Sequence, residues 1–353
     1  MKNKLLSIVV AVAMMVSCVC EASAAFVNDT IIDGSPTSGE GRIDNVLPDE
    51  ELLNNDSTFT FSELSDSKKY YSVTPDDPEW ENFSTSKEMI EACAIPASQL
   101  EKMSTYELAD AVLAFPLLMD IYFFNDIDMA LKNLSKRSDA YSALLQREDA
   151  MEVMESVYKT MQSSRDTDEL MLHTMELLLS DVRVIGNEEL TGSPIGLLAK
   201  STKTIYTPNG SPVTVVIRSE NSSEFNRQLD EHTKKTYPNA TYVAPSTSTY
   251  NCHNFAWNTD SPRQYWMNDP TAYMTDGSYK EGKISSTKQA KVYYEFGNHS
   301  GNYVPQESLA YKPLIASKWG PGPLMLHTYD YCPYDASSVS FWLRLLGLFL
   351  IWD

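Results

Sequence analysis

The sequence predicts an α+β protein, with a helical region over residues 84–185 followed by an antiparallel sheet region over residues 200–345. Three observations carry this. No glycine occurs between Ser84 and Ile185, and apolar residues recur there at helical spacing. After Gly186 the chain changes to short β-branched and aromatic runs bounded by turn residues. Within that second region, Tyr250-Asn251-Cys252-His253-Asn254-Phe255-Ala256-Trp257 breaks the strand pattern with what reads as a helix start.

The elements are justified in order. At the N-terminus, Lys2 and Lys4 precede an apolar run over residues 5–19 and an A-x-A site at Ala22-Ser23-Ala24. This is the layout of a secretory signal cut near Ala24, which leaves a secreted or cell-surface chain of about 330 residues. An alternative makes Met15-Val16-Ser17-Cys18 a lipobox acylated at Cys18, against which the methionine argues. Residues 25–83 hold 14 acidic and 3 basic residues with little apolar periodicity, so the expectation is an acidic, largely disordered linker.

Ser104-Thr105-Tyr106-Glu107 is a capping box ahead of Leu108, Val112 and Leu113. Pro116 interrupts the apolar stretch that follows. Leu144, Leu145, Met151, Met154 and Val157 form one stripe, and Leu172, Met175, Leu178 and Leu179 another. These stripes read as core, and His173 within the second reads as a core histidine. In the sheet region, residues 204–207 and 213–217 flank Pro208-Asn209-Gly210-Ser211, a hairpin signal. A helix is expected over 224–236. Strands are expected over 291–296, 308–319 and 324–328, and an apolar final strand or helix over 341–352. Residues 346–353 form an apolar tail too short to span a bilayer.

Composition narrows the function. The chain has 48 Asp+Glu against 28 Lys+Arg, which argues against nucleic acid or an anionic membrane as main partner. No nucleotide-binding loop, G-x-S-x-G elbow or EF-hand loop occurs, and no cofactor is expected. Removing the signal leaves Cys93, Cys252 and Cys332. One reading pairs Cys93 with Cys332 and leaves Cys252 free; the other keeps all three reduced.

A helix-start cysteine is stabilised as a thiolate by orphan N–H groups and the helix dipole. His299, in Asn298-His299-Ser300-Gly301-Asn302-Tyr303, could take its proton, and Cys252 could offer its own N–H to an oxyanion. His327, Asn302 and Ser317 are candidates for the group that orients the imidazole, with His327 preferred. Three other readings stay open: a zinc site from Cys252, His253, His299, His327 and Cys332, which lack the usual ligand spacing; an aromatic groove that binds without cleaving; and a buried structural cysteine.

The order Tyr250–Trp257, Tyr265-Trp266-Met267-Asn268-Asp269-Pro270, Asp276-Gly277-Ser278-Tyr279, His299-Ser300-Gly301, Ser317-Lys318-Trp319-Gly320, His327 and Cys332-Pro333-Tyr334 resembles a group of secreted proteins of Gram-positive bacteria. The C-terminal part is similar in layout to NlpC-type and CHAP-type cell-wall cysteine hydrolases of the papain-like clan. That resemblance implies a papain-like domain with Cys252 as nucleophile and His299 as base, acting on peptide or amide bonds of peptidoglycan. Asn251-Cys252-His253-Asn254 stands where those families carry Asp-Cys-Ser-Gly. The competing expectation is a non-catalytic cell-surface binding protein on the same fold.

Overall fold

Helix caps set the N-terminal half. The Thr85 hydroxyl accepts the Glu88 N–H and Glu88 returns to the Thr85 N–H, closing a capping box at the start of α1 (Ser86–Ala92). After the short α2 (Ala97–Leu100), Ser104 and Glu107 do the same for α3 (Thr105–Leu113), as the sequence predicts. Pro116 follows α3, and the chain tightens into a 3₁₀ helix over Leu118–Phe123. Ser138 ends α4 (Ile127–Arg137) and caps α5 (Asp139–Leu144). The two apolar stripes become α6 (Ala150–Ser163) and α7 (Glu169–Ile185), with Met154, Val157, Met175 and Leu178 buried.

The computed structural model describes residues 67–164, 167–185, 199–306 and 311–345. The signal and lipobox readings, the linker up to residue 66 and the tail 346–353 lie outside the described residues. The end of the expected linker is folded: Tyr71 and Trp80 are buried, and the Trp80 indole N–H donates to the Thr236 carbonyl at 2.8 Å. Their two aromatic rings outweigh the acidic character of the surrounding residues.

The second half is antiparallel throughout. The hairpin forms as predicted, with β1 (Ala199–Tyr206) on β2 (Pro212–Arg218) and Gly210 at φ +88°, which a residue with a Cβ adopts only under strain. A two-residue β4 (Trp266–Met267) adds to β2. The larger sheet has β3 (Thr241–Ala244), β5 (Tyr279–Glu281), β6 (Ala290–Tyr294), β7 (His299–Val304), β8 (Leu314–Lys318), β9 (Leu324–Thr328) and β10 (Val339–Arg344), in the order β3-β9-β8-β7-β6-β10-β5. The strand expected over 308–319 is confined to β8, and residues 307–310 lie outside the described residues. Three helices accompany the sheets: α8 (Ser223–Thr236), α9 (Cys252–Trp257) and α10 (Thr271–Thr275).

The described residues belong to one compact unit, and its main core runs from the helices into the sheet. Trp319 packs on Phe123 and Tyr237, the Tyr334 hydroxyl donates to the Phe123 carbonyl, and Ser86 donates to the Cys332 carbonyl. A buried ionic link crosses the same seam: Arg137 and the Tyr237 hydroxyl both donate to Asp120 Oδ2, each at 2.7 Å. A second apolar cluster, with Val213, Val215, Trp257, Met267, Tyr273 and Tyr279, lies under β2, α9 and α10.

All three described cysteines are buried and unbonded, which corrects the Cys93–Cys332 pairing. Cys332 is held by its own contacts, with its thiol donating toward the Tyr329 carbonyl at 3.5 Å. Among the described residues no helix is long and apolar enough to cross a membrane.

Candidate active site

Cys252 is the first residue of α9, as the sequence predicts, and Asn251 places it there. The Asn251 side-chain oxygen Oδ1 accepts N–H bonds from Asn254, capping the helix, and from Met267. Its amide donates to the Met267 carbonyl at 2.7 Å and to Asn125 Oδ1 at 2.9 Å. One side chain therefore ties the helix start to β4 and to the segment that follows the 3₁₀ helix. Asn254 and Asn258 both donate to the Ser261 carbonyl and hold the far end of α9.

The Cys252 sulfur is an acceptor. Asn125 Nδ2 donates to it at 3.2 Å, and the backbone N–H groups of Ser300 and His253 also favour its charged form. Lys318 adds a positive field. These draw the thiol down, but burial acts harder and pushes it up to about 11. With 1 % of its surface exposed, Cys252 is a protonated thiol at neutral pH, surrounded by the donors a thiolate would need.

His299 opens β7, where the sequence expects it, but the pleat turns it away from α9. Residues 299, 301 and 303 share one face of the strand and 300 and 302 the other. Ser300 faces α9, accepting the Trp257 indole N–H at 2.8 Å and meeting His253 Nδ1 at 2.8 Å. His299 faces the main core, stacked on Tyr334 with ring centroids 3.5 Å apart and 11° between planes. Neither of its ring nitrogens has a hydrogen-bond partner. Burial, aided by His327 and His253, holds the imidazole well below its ordinary range, so it is neutral. The expected hydrogen bond between Cys252 and His299 is thus absent here. Tyr334 is the link between them, lying on the imidazole while still feeling the thiol.

His327 is buried on β9 among structural partners. The Trp319 indole donates to Ser317 Oγ at 3.1 Å, and Ser317 Oγ lies 2.7 Å from His327 Nε2. His327 Nδ1 reaches the Thr328 carbonyl at 2.8 Å, so Nδ1 carries the proton and Nε2 accepts from the serine. Ser317 therefore serves His327 rather than His299. His253 sits in a parallel chain: Trp257 to Ser300, Ser300 to His253 Nδ1, and Nε2–H to Asn298 Oδ1 at 3.2 Å. Burial pushes both imidazoles down to about 4. Asn302, the other candidate, accepts from Lys291 on the face of β7 opposite His299.

Sequence reasoning missed two site residues. Asn125 follows the apolar run 117–124 and carries no signal of its own. Lys318 did carry one, a lysine inside a strand-like run. It is fully buried, spending its three protons on the carbonyls of Thr247, Gly320 and Gly322. Burial pushes its ammonium down to about 7, while Glu220, Cys252 and Asp230 draw it up.

A cavity of about 340 Å³ lies on the other side of Asn125, walled by Ile121, Tyr122, Phe124, Leu177, Phe225 and Trp266. Cys252 is not on its lining; Asn125 is the residue that belongs to both. His173, expected in the core, is partly exposed on this lining and stacks on Tyr122. Among the described residues no three His, Cys, Asp or Glu side chains converge as metal ligands would. No protein-family model, no curated protein and no solved structure matches this chain.

Proposed function

We propose that the protein is a thiol hydrolase of papain-like type, described here in a closed state, with Cys252 as its nucleophile. The observation that carries the reading is a sulfur at a helix start that accepts a hydrogen bond from Asn125 at 3.2 Å, with the backbone N–H groups of Ser300 and His253 and the field of Lys318 also favouring its charged form. In the reaction, the Cys252 thiolate attacks an amide carbonyl carbon and the oxygen takes the electron pair. Collapse of that intermediate expels the amine, which takes up the proton first removed from the thiol. Water then cleaves the thioester, releasing the acid and restoring the thiol.

His299 is the base this reading uses. Its two unpartnered ring nitrogens leave it free to bond elsewhere. Competence requires β7 to shift so that His299 leaves Tyr334 and reaches the α9 face, and requires Asn125 to leave the sulfur. The secretory signal expected from the sequence and the resemblance to cell-wall hydrolases make peptidoglycan peptides the first substrate class to try.

The second reading is a non-catalytic surface protein, favoured by the exposure of only 1 % of Cys252 and by the separation of His299 from it. The two readings part on products. The full chain and Cys252→Ser are incubated with muropeptides and with a mixed peptide pool, and new termini are sought by mass spectrometry. New termini with the wild type and none with Cys252→Ser support the hydrolase; none with either supports the binding protein.

A further inference from the structure

Asn125 touches two things that the rest of the fold keeps apart, the sulfur and the cavity. Its carboxamide nitrogen sits 3.2 Å from the Cys252 sulfur and also donates to the Asn298 carbonyl at 3.1 Å. A carboxamide pressed against a thiol occupies the space a substrate amide would need. It lies between the 3₁₀ helix Leu118–Phe123 and α4, on a short connection rather than in a regular element. The neighbouring Phe124 belongs to the cavity wall, so a guest in the cavity meets the same two-residue segment that covers the thiol.

The cavity's chemistry selects its guest. Its volume of about 340 Å³ falls at the lower end of small-ligand pockets, and its main walls are aliphatic and aromatic. The charged group on the lining, Glu169, accepts from the Ser222 hydroxyl through both oxygens, at 3.0 and 2.8 Å. His173 is stacked on Tyr122 and edge-on to Phe225, and burial keeps it neutral. Glu169 keeps its negative charge and would repel an anion, whereas an apolar ring would find aromatic partners in Tyr122, Phe124, Phe225 and Trp266.

We propose that this cavity is the side-chain subsite of the Cys252 centre, accepting a large apolar or aromatic side chain of a peptide substrate. Filling it displaces Phe124 and Asn125 and uncovers the thiol. This deepens the thiol-hydrolase reading and rests on it. The subsite is built by the helical region, from the 3₁₀ helix and α7, together with α8 and Trp266. The helical region therefore confers both the closure of the centre and its selectivity.

The test uses two covalent probes with the same reactive group, the chloromethyl ketones of acetyl-phenylalanyl-glycine and acetyl-glycyl-glycine, with the full chain. Labelling of Cys252 is timed by mass spectrometry. The phenylalanyl probe is expected to label Cys252 roughly tenfold or more faster than the glycyl probe, from burial of its ring. Leu177→Trp and Ser180→Phe, which fill the cavity from two positions on α7, are expected to bring that ratio close to one. Equal rates in the wild type, or a ratio that persists in both filled variants, would overturn the subsite and leave the hydrolase reading standing. No labelling of Cys252 by either probe, even in Asn125→Gly, would remove the hydrolase reading and the subsite with it.

Discussion

Three buried histidines surround the candidate site, and each is neutral in the fold, which makes acid a sensitive probe of the arrangement. His253, His299 and His327 are at most 1 % exposed. Burial pushes His253 and His327 from 6.5 down to about 4 and His299 well below its ordinary value. On lowering the pH, the unfolded chain takes up three protons that the folded chain refuses, so unfolding becomes easier. The stability they contribute is fully present above pH 6.5 and is lost as the pH falls from there toward 4. Between about pH 7.5 and about pH 5.5 the loss is about 1.4 kcal/mol per histidine, or about 4 kcal/mol for the three. Few carboxylates titrate in that interval, but His232, also pushed down to about 4, and the buried Lys318, pushed down to about 7, add to the same loss. Urea unfolding followed by circular dichroism at several pH values measures it. His327→Gln should reduce the loss by about 1.4 kcal/mol. A stability unchanged across the interval would show that these imidazoles are charged or hydrated in the fold, and the closed, dry site described above would be wrong.

Three further outcomes test the packing that positions the site. Gly301→Ala places a Cβ 2.5 Å from Ile315 Cγ2 and 3.1 Å from the Ala316 carbonyl, so β7 and β8 must part; a loss of about 1–3 kcal/mol in urea unfolding is expected. Arg137→Met leaves the Asp120 carboxylate buried with only the Tyr237 hydroxyl, and should cost about 3–5 kcal/mol, recovered in part by a second change of Asp120→Asn. Trp80→Ala removes a fully buried indole and its bond to Thr236, for which the melting curve should register a loss of about 3–5 kcal/mol.

Local chemistry was the most legible part of the sequence. The Ser104 capping box, the Asn209-Gly210 hairpin, the helix ending at Thr236 and the helix start at Cys252 all follow from short-range hydrogen bonding and backbone conformation, and all are present. The α+β class followed from the same signals. What was not legible depends on which face a strand presents. His299 lies one residue from facing α9, and a period of two turns that single step into the opposite side of the sheet. The Ser317–His327 and Ser300–His253 pairs were equally hidden, being made across strands or between helix and strand. Asn125 is 127 residues from Cys252, and no local pattern announces a contact at that distance. Tyr71 and Trp80 were lost in an acidic background because composition averages over the few side chains that anchor a segment.

The central claim, a donor-lined nucleophile covered by Asn125, is tested most directly by the rate of iodoacetamide modification of Cys252 against pH, in the wild type and in Asn125→Gly. The wild-type thiol, pushed up to about 11, should react on the order of a hundredfold slower at neutral pH than a free thiol, rising as the pH approaches 11. Asn125→Gly removes one donor but lets water in, and because burial is the larger influence, the rate at neutral pH should rise at least about tenfold. A rate that falls or stays unchanged in Asn125→Gly would mean that Asn125 only supports a structural cysteine, and the non-catalytic reading would replace the hydrolase.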